Sequence, residues 1–86
     1  MAPGAHLLVT SLQLGQLLQS TRKAQGLSQG AMATRIGLSQ SRVSHLEQHA
    51  DQLSVSQLMT WCAALGLELT LGPRGGYAVR DDSAGW

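Results

Sequence analysis

Gly37 stands between two helix-sized runs, and the twenty residues around it, Gln29 to Gln48 (QGAMATRIGLSQSRVSHLEQ), leave the chain few ways to fold. Ser28 is a good N-cap for the first run, since its hydroxyl accepts one of the N–H groups a first helical turn leaves free. Behind it Met32, Ala33 and Ile36 recur at helical spacing and make one apolar stripe. Gly37 ends that stripe, because glycine takes positive φ at no steric cost, and Leu38 folds apolar surface back against it. Ser39 caps the second run. There Val43 and Leu46, three residues apart, face inward, and Gln40, Ser41, Arg42, Ser44, His45 and Gln48 remain outside.

Two short helices joined at a glycine, with small Ala33 where they can meet closely, are the outline of a helix-turn-helix. That motif sets its second helix in the major groove of DNA. A merely solubilising face would be richer in Lys and Glu. Amides, hydroxyls, one Arg and one His instead suit hydrogen bonds to base edges and phosphates.

The chain is a single small domain of 86 residues. A domain of this size buries only about 60% of its unfolded surface, so the core is marginal and dimerisation would strengthen it. With no Phe, one Tyr and two Trp, that core must come from Leu, Val, Ile, Met and Ala, as in a helical bundle. Cys62 alone makes no internal disulfide, and neither a signal peptide nor an apolar run of about 18 residues is present. The expectation is a cytoplasmic protein with no membrane segment.

The net charge of +1 hides an asymmetry. Residues 1–46 hold Arg22, Lys23, Arg35 and Arg42 with no acid, giving +4; residues 47–86 hold Arg74 and Arg80 against Glu47, Asp51, Glu68, Asp81 and Asp82, giving −3. A polyanion is drawn to the first half, which carries the motif.

Outward from the motif, residues 1–9 read as a flexible arm and residues 10–66 as the helical domain. A first helix runs from about Ser11 to Gln25 behind Thr10 or Ser11, with Leu14, Leu17, Leu18 and Thr21 inward and Gly26 as its stop, although Gly15 is a poor helix former. His49 to Leu53 reads as a polar loop. Ser54 caps a last helix, opened by Val55, with Leu58, Met59, Cys62 and Leu65 on its apolar side and Gly66 at its end. Leu67, Glu68, Leu69, Thr70 and Leu71 alternate as a half-buried strand, and Tyr77–Arg80 reads as a second strand within residues 67–80. Residues 81–86 read as a tail. A strand left alone exposes unpaired edges, so Leu67–Leu71 is expected to pair with the same strand of a second subunit, or with Tyr77–Arg80.

The run Arg22, Gly26-Leu27-Ser28-Gln29, Ala33, Ile36-Gly37-Leu38-Ser39-Gln40, Val43, Leu46 and Glu47 resembles the Xre/Cro-type helix-turn-helix family, over about residues 11–66. The ending Leu65-Gly66-Leu67-Glu68-Leu69-Thr70-Leu71 is similar to the HipB-type antitoxins of that superfamily. The resemblance implies a mainly α, four- to five-helix, lambda-repressor-like domain with a short C-terminal β-strand paired across a homodimer. It also implies repression of the protein's own operon at a palindromic double-stranded operator, and binding of a HipA-like serine/threonine kinase toxin. By the same resemblance Gln40 contacts a base, Gln29 buttresses it and bonds a phosphate, and Arg22 and Glu47 form a structural ion pair. Ser41, Ser44 and His45 face the groove, and Arg42 and Arg35 are placed for phosphates. Ser39 stands in the turn where the family often has Lys, so operator sequence does not carry over.

Other chemistry finds little footing. Ser28, Ser39 and Ser54 are accounted for as caps, and no nucleophile stands beside a base, so no catalytic residue or cofactor is expected. His6, His45, His49 and Cys62 do not form a metal spacing, because His45 and His49 share a face only if their helix continues; no metal site is expected. Cys62, near Trp61 and Met59, reads as core packing. Trp86 at the end of the sequence is either unselected or an anchor for a partner pocket. Two alternatives stand beside the antitoxin: a phage or mobile-element regulator without a toxin, and a helical adaptor that does not bind DNA.

Overall fold

A computed structural model of the chain describes residues 6–74. Four α-helices follow in order: α1 Ser11–Ala24, α2 Gln29–Ile36, α3 Gln40–Gln48 and α4 Val55–Leu65, with a 3-10 turn at Ala50–Gln52 between α3 and α4. Each α-helix opens on a hydroxyl cap, Thr10, Ser28, Ser39 or Ser54, that accepts the N–H three residues on. At α1 and α4 the cap is reciprocal, with the Gln13 and Gln57 side chains accepting the Thr10 and Ser54 N–H groups, each at 3.0 Å. Gly37, with φ +74°, ends α2 in the left-handed conformation, and Leu38 N–H then donates to Ala33 O at 3.0 Å. α4 ends in the same way at Gly66.

Leu18, Met32, Ala33, Val43, Leu46, Trp61 and Leu65 form the core, with Leu14, Leu27, Ile36, Leu38, Leu53, Leu58 and Leu67 packed around it. Burying a side chain of this size contributes about 1.5–3 kcal/mol, so these residues hold α2 and α3 against α1 on one side and α4 on the other. Among the described residues no helix is long and apolar enough to cross a membrane.

The structure departs from the sequence reading in three places. On α4 the stripe is Leu58, Trp61, Cys62 and Leu65; Trp61 is fully buried, whereas Met59, one position off that stripe, is 57% exposed. The loop after α3 contains the 3-10 turn, because Ala50 is drawn inward against α1. α1 stops at Ala24, with Gln25 as its cap and its side-chain amide donating to Leu65 O at 2.7 Å.

Past Gly66 the chain runs to Arg74 without entering a strand ladder among the described residues. Leu67 rests on the core, and Leu69 and Leu71 stand exposed. A strand is defined by its pairing, and both partners expected for this one, a second subunit or Tyr77–Arg80, lie outside the described residues. The second expected strand, Tyr77–Arg80, and Trp86 lie outside the described residues.

Candidate nucleic-acid interface

α3 is held from beneath by Val43, Leu46 and Glu47, all buried. On its outer side Ser41, Ser44, His45 and Gln48 follow at i, i+3, i+4 and i+7 and line one stripe. Ser41, His45 and Gln48 are exposed and Ser44 half-buried. Gln48 belongs to this stripe as fully as His45 does; its spacing in the sequence already says so, although it carries no family role. Gln40 and Arg42 flank the stripe, both exposed.

The N-terminal end of α3 meets the N-terminal end of α2. Ser39 Oγ accepts the Arg42 N–H at 3.1 Å and lies 3.3 Å from Ser41 Oγ. Gln40 Oε1 lies over Gly30, 3.8 Å from where a Cβ on that residue would sit, which is ordinary contact distance. Gln29 Nε2 donates to Glu47 Oε1 at 3.2 Å. Gln29 and Gln40 therefore flank Gly30, and one of them is fixed from below.

The group fixing it is an ion pair in the interior. Arg22 Nε donates to Glu47 Oε2 at 2.6 Å, and its terminal nitrogens donate to Glu47 Oε1 at 3.1 Å and to Leu27 O at 2.8 Å. Both residues are 5% exposed. Two charges withdrawn from water are tolerable only when their hydrogen-bonding groups are this well used. The pair ties α1, the loop before α2 and α3 together. It also cancels one of the four cations in residues 1–46, so the charge offered to a polyanion is smaller than the sequence suggests.

The remaining residues divide. Arg35 sends a terminal nitrogen to Ala64 O, 3.2 Å away near the end of α4, and so spans two helices. His45 Nε2 pairs with Gln52 Oε1 at 2.8 Å. Cys62 is in the core, where burial pushes its thiol pKa up. No group of three metal-ligating side chains occurs among the described residues.

A family model for a helix-turn-helix domain matches residues 2–72. The uncharacterized HTH-type transcriptional regulator y4dL of Sinorhizobium fredii (strain NBRC 101917 / NGR234) is 36% identical over 59 residues, 69% of this chain. The chain spans only 30% of that relative's length. Among solved structures, a chain of a HipA-HipB-O2-O3 complex superimposes with a TM-score of 0.74 at 23% identity, covering 81% of this chain and 99% of that one. A structure described as MDT protein gives the same values. A HipB-O1-O2 complex gives a TM-score of 0.73 at 23% identity, over 80% and 100% of the two chains. At this identity the likeness is one of fold.

Proposed function

The chain belongs to the helix-turn-helix family, and we propose that it is a HipB-like antitoxin and transcriptional repressor that binds its own operator DNA as a dimer and holds a HipA-like kinase toxin. The observation that carries the DNA half is the outer stripe of α3. Gln40, Ser41, Ser44, His45 and Gln48 offer donors and acceptors to base edges, on a helix held rigidly from beneath. Gln29 steadies the Gln40 end, while Arg42 and Lys23, both exposed, meet phosphates. Arg35 joins them by exchanging its contact with Ala64 O for a phosphate oxygen.

The dimer half rests on the segment after Gly66. Leu67, Leu69 and Leu71 alternate, and the last two stand 43% and 97% exposed in the single chain. Pairing Leu67–Leu71 with its copy satisfies the free edge and covers these side chains. A two-fold axis there sets the two α3 helices for the half-sites of a palindrome. The toxin half is supported by the fold shared with HipB, including in a structure that contains HipA. In this reading the acidic half of the chain and Trp86 face the toxin.

The test is co-purification of the tagged protein with the product of the adjacent gene, followed by a gel shift on the DNA upstream of its own gene. A ternary complex with a kinase-like partner is the expected result. Specific DNA binding without any co-purifying partner would replace the antitoxin with a stand-alone regulator.

A further inference from the structure

The last turn of α3 carries a feature that DNA recognition does not require. α3 ends at Gln48, and the cap residue His49, with φ −130° and ψ 61°, keeps one last helical hydrogen bond, its N–H donating to His45 O at 2.9 Å, while its ring comes beside that of His45. Their rings lie with centroids 4.6 Å apart, tilted by 32°. Both residues are exposed.

We propose that His45 and His49 form a two-imidazole chelate for a late divalent transition ion of the Ni(II), Cu(II) or Zn(II) class. Two nitrogens bound side by side to one such ion at about 2.1 Å each stand about 3 Å apart. The two rings, with centroids 4.6 Å apart, are close enough to share one ion. Imidazole selects these ions over Mg(II) or Ca(II), which take oxygen ligands. The site also sits at a helix C-terminus, where the free carbonyls favour a cation. No third His, Cys, Asp or Glu joins the pair among the described residues, so water completes the shell. His45 Nε2 already faces an amide oxygen, Gln52 Oε1 at 2.8 Å, and gives up that contact when it binds the ion.

His45 belongs to the outer stripe of α3, so an ion that holds its ring withdraws it from DNA. This consequence rests on the DNA-binding reading; ion binding itself does not.

Nickel(II) chloride titrated into the full chain, followed by calorimetry and by NMR of the histidine ring protons, tests the site. About one ion per chain is expected, broadening His45 and His49 before His6. His49→Ala should weaken binding by at least about tenfold, the scale on which even outer-shell losses act, with an unchanged helical circular-dichroism spectrum. His6→Ala should leave binding intact. Equal affinity in His49→Ala, or loss of binding in His6→Ala, overturns the proposal. In a gel shift, nickel should weaken binding of the wild type to the upstream DNA and leave His49→Ala unaffected; equal sensitivity of the two overturns the coupling. DNA binding that is absent with and without nickel overturns the functional reading and leaves the calorimetric result standing.

Discussion

Gly15 of α1 rests on the main-chain carbonyl of Glu47 in α3. A Cβ at Gly15 would come within 3.0 Å of that oxygen and lie 3.5 Å from the Ala50 Cβ, so the helices cross where no side chain fits. Gly15→Ala gains about 1 kcal/mol of helix propensity and loses about 3 kcal/mol to overpacking, the upper end of the usual range, because the overlap is with a main-chain oxygen that cannot turn aside. A fall in melting temperature is expected. A variant as stable as the wild type would mean that α1 and α3 do not cross there.

The same glutamate closes the buried ion pair with Arg22. Glu47→Gln keeps the shape and leaves a guanidinium buried without its counter-charge, a loss of about 3–5 kcal/mol. For a domain this small such a loss approaches the whole of its stability, so thermal melting should show a large drop. Should the variant melt like wild type and lose only DNA binding, Glu47 acts at the interface and not in the fold.

Much of this frame was legible beforehand. The hydroxyl caps, Gly37 and Gly66 announce themselves because each meets a local backbone need, and local needs are written in adjacent residues. Trp61 is equally legible, since 58, 61, 62 and 65 make a helical stripe, and Met59, expected on that side, stands one position off it and is exposed. The roles of Gly15 and Ala50 were hidden, because they arise where segments distant in sequence touch. The contacts of Arg35 with Ala64 O and of Gln29 with Glu47 were hidden for the same reason. The expected strand Leu67–Leu71 needs a partner, a second chain or Tyr77–Arg80, that the described residues do not include.

Gln40→Ala removes an exposed amide and should leave the melting temperature unchanged. Its effect belongs to DNA binding, where loss of a bidentate base contact costs about 1–3 kcal/mol, or about five- to 150-fold in affinity. A gel shift with specific and scrambled DNA measures it. An unchanged ratio of specific to non-specific affinity would remove Gln40 from the readout.

With Arg22 neutralised, Lys23, Arg35 and Arg42 are the cations that residues 1–46 offer to phosphates. For a dimer, the slope of log affinity against log salt should therefore be roughly −5. Fluorescence anisotropy at several salt concentrations gives the value. A flat response would favour a protein adaptor over a DNA binder.

Cys62 should react slowly with thiol reagents in the folded protein and fully in denaturant. Its pKa is raised by burial, so little thiolate forms in the ordinary thiol range and reactivity appears only at higher pH. A folded pKa above the unfolded one makes this group's contribution to stability complete below the unfolded thiol pKa. That contribution is lost as pH rises through the folded value. Rapid labelling of the folded chain near neutral pH would place Cys62 outside the core.

In the proposed complex two α3 helices, joined through the segment after Gly66, read one DNA site. Footprinting of the upstream DNA, with the protein-to-DNA ratio measured on the same complex, tests it most directly. Two chains per site are expected, with two protected half-sites about one helical turn apart, both lost on truncation after Gly66. Specific protection of a single half-site by one chain, unchanged by that truncation, would contradict it.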